Sequence, residues 1–453
     1  MTPREKRAVS SLASIYALRM MGLFMILPVF ALYAQDLEGV TPFLVGVAIG
    51  AYGLTQAILA IPFGMWSDRI GRKRVITIGL LIFAAGSVIA AMADSIYGVI
   101  LGRAIQGSGA IAAAIMALTS DLTREEHRLK AMAVIGMSIG VSFAISLVLG
   151  PVLDRWIGVD GIFWLTAVLA LGGIVLLHSQ VPTPVHSGLH RDTMPVPALF
   201  ASVLRDTQLQ RLNFGILSLH MMLTATFVVM PLALQDIAGL DKAHHWYIYL
   251  PVLLFGLFLM VPFIIIAESK RKMKQVFVGA IIALVVAELS LVFWHSSVMS
   301  IITALLIFFI AFNVLEASLP SLVAKEVTPD RKGTAMGVYS TAQFLGAFIG
   351  GALGGWLHGK YGIGAVFMMC ALVAFVWFFV AATMRNPRYL SSYLVRVGPV
   401  DAKRAEELAI AMTAVTGVAE ALVIPEDGVA YLKVDLHALD KSEILKFAVP
   451  DEA

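Results

Sequence analysis

The stretch Gly64-Met65-Trp66-Ser67-Asp68-Arg69-Ile70-Gly71-Arg72-Lys73-Arg74 sets a block of cations, one acid and two spaced glycines between two long apolar runs. The cations alone would read as anchors at a membrane surface, because Lys and Arg gather in loops on the cytoplasmic side. The remaining residues ask for more. Gly64 allows helices to approach closely, Gly71 allows a tight turn, and Asp68 can cap a helix start or pair with a neighbouring guanidinium.

The flanking runs, 42–66 and 74–93, are two of twelve. The others cover 11–33, 96–120, 129–152, 159–179, 210–235, 245–267, 275–294, 297–324, 333–357 and 361–384. A bilayer core of about 30 Å takes roughly 20 apolar residues per helix, so each run is predicted to span it. Composition agrees, with 59% hydrophobic and 14% charged residues and a mean hydropathy of +0.86, which is outside the balance of a soluble domain. Arg4, Lys6 and Arg7 before the first run would suit a signal peptide, but the run is too long and lacks a small-residue cleavage site, so it reads as a retained helix.

The segments flanking the bundle and the loops after even-numbered runs hold 22 Lys and Arg; the opposite loops hold three, Arg155, Lys242 and Lys360. That bias places both termini in the cytoplasm. The net charge of +3 is spread over alternate loops and forms no continuous patch, which argues against a nucleic-acid partner. Cys370 is the single cysteine, so one chain can build neither a disulfide nor a thiolate metal site. No phosphate-binding loop, hydrolase constellation or metal set stands out, and neither enzymatic activity nor a cofactor is expected.

Residues 180–209, with Pro182, Pro184, Pro195 and Pro197, read as a cytoplasmic linker between a half at 1–179 and a half at 210–384. The segment Lys130-Ala131-Met132-Ala133-Val134 echoes Thr334-Ala335-Met336-Gly337-Val338 at an offset of 204; Gly150 falls on Gly354 at the same offset, and Pro28 has a near counterpart in Pro231. Chance likeness between glycine-rich helices is the competing explanation. Six helices return the chain to the same face, so the repeats are parallel and a substrate site is expected between them near the midplane. After a linker at 385–390, the tail 391–453 carries six Lys and Arg against eleven Asp and Glu. It reads as a strand at 391–397, a helix at 400–416, a hairpin of 419–425 with 429–436 across Glu426-Asp427-Gly428, and a last helix capped by Asp440. The fold class is thus an all-α membrane bundle of twelve helices in two halves, plus a small α+β ferredoxin-like domain. At roughly 60 residues that domain is near the lower limit for folding alone, so docking on the bundle or self-association is expected.

Charged groups inside the runs are costly and mark candidate sites. Arg103, in Arg103-Ala104-Ile105-Gln106-Gly107-Ser108-Gly109, demands a partner, either a static one or a carboxylate held and released as it gains and loses a proton. Glu316 is the deepest acid, with Asn313 one turn away; it is a proton carrier or a neutral structural acid. His220 is a second titratable candidate or a packing residue. Tyr16, Arg19, Tyr52, Gln56, Tyr339 and Gln343 are candidate cavity groups at helical spacing. Gly136, Gly140, Gly150 and Pro151 mark helix packing, and Gly346, Gly350 and Gly354 make a smooth ridge expected to meet a helix of the other half.

The pattern G-x-x-x-D-R-x-G-R-K-R at 64–74 is the loop signature of the major facilitator superfamily. With the Arg103 segment and a partial glycine motif at 136–151, residues 1–390 resemble its drug:proton antiporter group. The resemblance implies alternating access by rocking of two halves in a cell inner membrane, with the proton gradient driving efflux of a small amphiphilic or drug-like molecule. It also pairs Asp121 with the basic residues of the 64–74 loop as a latch, so that Gly64, Asp68, Arg69, Gly71, Arg72 and Arg74 act in gating. It gives Arg103 a role in proton coupling, and the tail a regulatory or oligomerisation role. Ser146 stands where the glycine motif has glycine, and Asp154 and Arg155 replace its closing pair. Proton-coupled import by symport therefore stays open, as does a membrane sensor signalling through the tail.

Overall fold

The computed structural model describes residues 1–183, 199–294, 297–386, 391–398, 400–425, 428–435 and 438–449. Pro184, Pro195 and Pro197 of the expected linker, residues 387–390 and Glu426-Asp427 of the expected turn lie outside them. The chain divides into two compact units, one of Met1–Val323 with Asp330–Arg385, the other of Ala324–Pro329 with Asn386–Ala453.

The first unit is helical: α1 (Pro3–Phe24), α2 (Phe30–Tyr33), α3 (Pro42–Ile70), α4 (Arg72–Ala91), α5 (Ile96–Ser108), α6 (Ala112–Asp121), α7 (Glu125–Gln180), α8 (Phe200–Arg205), α9 (Thr207–Leu232), α10 (Trp246–Ser269), α11 (Met273–Trp294), α12 (Val298–Glu326), α13 (Pro329–Tyr361) and α14 (Ile363–Ala382). The helices start where side chains can satisfy free backbone N–H groups: Thr41 accepts from Leu44, Ser95 from Gly98 and Asp206 from Gln208 and Leu209. Gly71, between α3 and α4, has φ 98°, a conformation in which only glycine is unstrained.

Among the described residues, nine helices are long and apolar enough to cross a membrane, not the twelve expected. The fifth and sixth runs merge into α7, joined at Gly158 with φ 68°. The first and eleventh runs fold as α1 and α13, but Arg7, Arg19 and serines dilute α1, and Tyr339, Gln343 and glycines dilute α13, leaving both outside the nine. Hydropathy also misses two breaks. The first run stops at Phe24 and resumes at Phe30 around Pro28, which cannot donate a backbone hydrogen bond. The fourth opens between Ser108 and Ala112, where the Gly109 carbonyl accepts from the Ile111 N–H and from a side chain.

Helix association in lipid gains little from apolar burial and depends on close approach, so glycines decide the contacts. A β-carbon at Gly346, Gly350 or Gly354 would meet Leu217, Met221 and Ala225 of α9. The expected ridge therefore binds α13 within its own half. The face that meets the other half is one residue on: Gly351, Gly355 and Gly359 lie against Gly46 and Pro42 of α3, while Gly50 and Gly53 approach Phe348 and Phe344. Gly150 packs on the Met25 carbonyl and Pro28, but Gly136 and Gly140 face open space, which corrects their assignment to packing. Pro151 lies inside α7.

Fastenings at equivalent positions of the two halves follow the sequence repeat. Lys73 Nζ donates to the Val181 carbonyl at 2.6 Å, and Lys274 Nζ donates to the Met384 carbonyl at 2.6 Å. Arg124 pairs with Glu5 at 3.1 Å, and Arg331 with Asp206 at 3.9 Å.

The second unit carries β1 (Ser391–Arg396), α15 (Ala402–Thr413), β2 (Val418–Ile424), β3 (Val429–Val434) and α16 (Lys441–Leu445). The strands form an antiparallel sheet in the order β1-β3-β2. Val395, Leu408, Met412, Leu432, Val434 and Ile444 share its core. Asp401 and Asp440 cap the two helices.

Candidate functional site

Three helices of the second half bring two titratable groups and an amide together. Glu316 on α12 accepts from Gln343 Nε2 of α13 at 3.3 Å, and the same amide nitrogen lies 2.8 Å from His220 Nε2 on α9. His220 Nδ1 and Glu316 Oε2 are 3.9 Å apart. The Glu316 side chain is 36% exposed and that of His220 12%, while Glu316 Oε2 and His220 Nδ1 are themselves buried without a hydrogen-bond partner among the described residues. Tyr339 is buried beside them, and Asn313 Nδ2 is buried without a hydrogen-bond partner among the described residues. Glu316, His220 and Gln343, chosen separately from the sequence, thus form one cluster. A carboxyl, an imidazole and an amide in this arrangement can hold one proton and exchange it with water on one side.

An aromatic layer lies against this cluster. The His220 ring is 6.0 Å from Phe312, which stacks at 5.9 Å on Phe143 of α7 in the first half. Phe143 also meets Phe24 and Phe309. No sequence signal singled out Phe143, because an aromatic on an apolar helix is ordinary until its partner across the halves is seen.

Two of the buried arginines of the first half, Arg19 and Arg103, lie around one tyrosine. Arg19 Nη2 donates to Gln56 Oε1 at 2.7 Å and to the Gly109 carbonyl at 2.9 Å. Arg103 donates to Gln106 Oε1 at 2.9 Å and to the Ile49 carbonyl at 3.4 Å. Both guanidiniums lie over the Tyr52 ring, at 5.5 and 5.3 Å. Tyr16 is buried in the same core. The carboxylate expected beside Arg103 is replaced by neutral oxygens.

At the end of the first half nearest the N-terminus, Arg72 donates to Ser67 at 2.8 Å, to Asp68, and to Asp121 at 3.3 Å. Arg72 and Asp121 are both sealed from solvent. Gly64 supplies the carbonyl that fixes Ser67, whereas Arg69 and Arg74 are exposed. Arg72→Ala would leave the buried Asp121 carboxylate without its guanidinium and should cost about 2 kcal/mol; Arg72→Lys, which keeps the charge but loses the fork, should fall between. Thermal unfolding in detergent checks the order.

Glu5 is a polar contact the sequence reading passed over. Its signal was a capping box, Thr2 with Glu5 three residues on, and both halves of the box form. Burial pushes the Glu5 carboxyl up, but the Arg124 and Thr2 backbone N–H groups and the Arg124 guanidinium outweigh it and hold it at about 2, below the ordinary 4.5. Its stabilisation is therefore complete above 4.5 and is lost as pH falls towards 2. Glu5→Gln should lower the melting temperature by a constant few degrees from pH 7 to 5, with the deficit narrowing below 4.5. A deficit unchanged at pH 3 would rule the carboxylate out as its cause.

Among the described residues, no group of three or more His, Cys, Asp or Glu could hold a metal ion. The family model of the Major Facilitator Superfamily matches residues 12–351 and 274–396. The inner membrane transport protein YajR of Escherichia coli (strain K12) is 49% identical over 446 residues, covering 98% of this chain and 97% of that one. The multidrug resistance protein MdtH of Aeromonas salmonicida (strain A449) is 25% identical over 75% of this chain and 84% of its own length. Among solved structures, a bacterial homologue of the human lysosomal transporter Spinster, inward-facing and occupied, superposes with a TM-score of 0.69 at 15% identity, covering 85% of this chain and 98% of that one. That likeness concerns the fold alone.

Proposed function

The chain belongs to the Major Facilitator Superfamily, and from that premise we propose that this membrane transporter exports a small amphiphilic molecule in exchange for protons, by alternating access. It is a transporter rather than an enzyme. The observation that carries proton coupling is the Glu316–His220–Gln343 cluster, a carboxyl held by an amide in the second half with a second titratable group 3.9 Å away. Export is favoured by the likeness to a multidrug resistance protein. In this reading α7 crosses the inner membrane twice, and α1 and α13 complete twelve crossings with both termini in the cytoplasm.

The contacts between halves along α3 and α13 run from Pro42 to Ala57 and from Thr341 to Gly359. The closed face is then the one away from the termini, and the Arg72–Asp121 latch works at the other face when the halves rock. Proteoliposomes given an outward or inward proton gradient, with a panel of amphiphilic solutes, test the reading. Uphill movement of a solute against proton influx supports export, uphill movement with the protons means import, and solute fluxes indifferent to the gradient refute proton coupling.

A further inference from the structure

Arg19 and Arg103 are 1% and 2% exposed, yet neither has a carboxylate within 4.0 Å among the described residues, where Arg72 has two. A guanidinium keeps its charge in apolar surroundings and is costly there without a counter-charge. The two share the Tyr52 ring, so the site concentrates two positive charges around one aromatic face. The polar atoms left over point the same way. Arg19 Nε and Nη1, Gln56 Nε2 and Tyr52 Oη are all buried without a hydrogen-bond partner among the described residues. Arg19 Nε and Nη1 and Gln56 Nε2 can only donate and Tyr52 Oη can donate or accept, while the Gln56 and Gln106 amide oxygens and the Gly109 and Ile49 carbonyls already accept. More donors and positive charge than acceptors is the complement of an anion.

We propose that Arg19, Gln56, Tyr52 and Arg103 form a binding site for an oxyanion, a carboxylate, sulfonate or phosphate group, whose charge the two guanidiniums share. Tyr52 also meets Phe344 of α13 across the halves, with ring centroids 6.3 Å apart, one residue from the Gln343 that holds Glu316. The site therefore lies beneath a contact between halves and admits its ligand when the halves part. The inference rests on the alternating-access reading for access to the site, and not on the direction of transport.

The test uses the full-length protein in detergent with no gradient, so it can fail while transport succeeds and the reverse. Thermal stabilisation is titrated with naphthalene-2-sulfonate, with inorganic phosphate, and with tetraethylammonium as the cationic control. Saturable stabilisation by an anion and none by the cation is expected, with the half-saturating concentration raised at least about tenfold in Arg19→Gln. Arg19→Lys, which keeps the charge, should retain most of it and guards against a folding defect. Stabilisation by the sulfonate alone assigns the site to an organic solute; stabilisation by phosphate as well assigns it to any oxyanion. No stabilisation by either anion, equal stabilisation by the cation, or shifts unaffected by Arg19→Gln overturns the proposal.

Discussion

Glu316→Gln should abolish the proton dependence of transport while leaving the solute able to cross. The substitution keeps the shape of the side chain and an oxygen for Gln343 Nε2, which now donates at 3.3 Å, so the cluster should hold together. What is lost is the ability to change charge as the site opens to one face or the other, and with it the coupling between protons and solute. Coupling energies between two ligands commonly amount to about 1–3 kcal/mol, so uphill accumulation under a pH gradient should fall roughly a hundredfold while downhill exchange persists. Glu316→Asp, one methylene shorter, should keep a proton site but loosen its contact with Gln343. Proteoliposome fluxes with and without a gradient separate the two effects, and unchanged coupling in Glu316→Gln would remove this carboxyl from the mechanism.

The second large effect should come from the seam between α3 and α13. A β-carbon on Gly46 would lie 1.9 Å from the Gly351 carbonyl oxygen, and one on Gly351 2.4 Å from that of Gly46. The neighbours there are backbone and cannot swing aside. Gly46→Leu should therefore disfavour the closed seam by about 3 kcal/mol, enough to shift a two-state population by roughly a hundredfold. Spin labels in place of the exposed Tyr97 and Tyr361, in a chain lacking Cys370, should report a longer distance, and turnover should stop. Gly279→Leu, at a glycine with open space around it, is the control expected to change neither. An unchanged distance in Gly46→Leu would show that the seam does not define a conformational state.

Much of this was readable from residues, and the rest failed for physical reasons. The 64–74 loop carried its chemistry in its spacing, and Asp68, Arg72 and Asp121 do meet. Glu316, His220 and Gln343 stood out because polar groups are rare in apolar helices, but only the tertiary fold could say that they touch. The glycines of α13 show the limit. Both 346-350-354 and 351-355-359 repeat every four residues, and periodicity cannot say which face meets which neighbour. Hydropathy was likewise blind to the break before Ala112, because three apolar residues there leave the average unchanged while turning the Gly109 carbonyl to Arg19. The neutral partners of Arg103 were missed because a buried cation suggests a carboxylate, while one amide oxygen and one backbone carbonyl look ordinary in sequence.

The lysine fastenings of the two halves bear on where such a machine can flex. Lys73 and Lys274 each grip a carbonyl, on Val181 and Met384, and the Asp68–Arg72–Asp121 fork closes within the first half alone. Each half is thus tied to itself, which leaves the glycine seam between α3 and α13 as the line along which the two can turn.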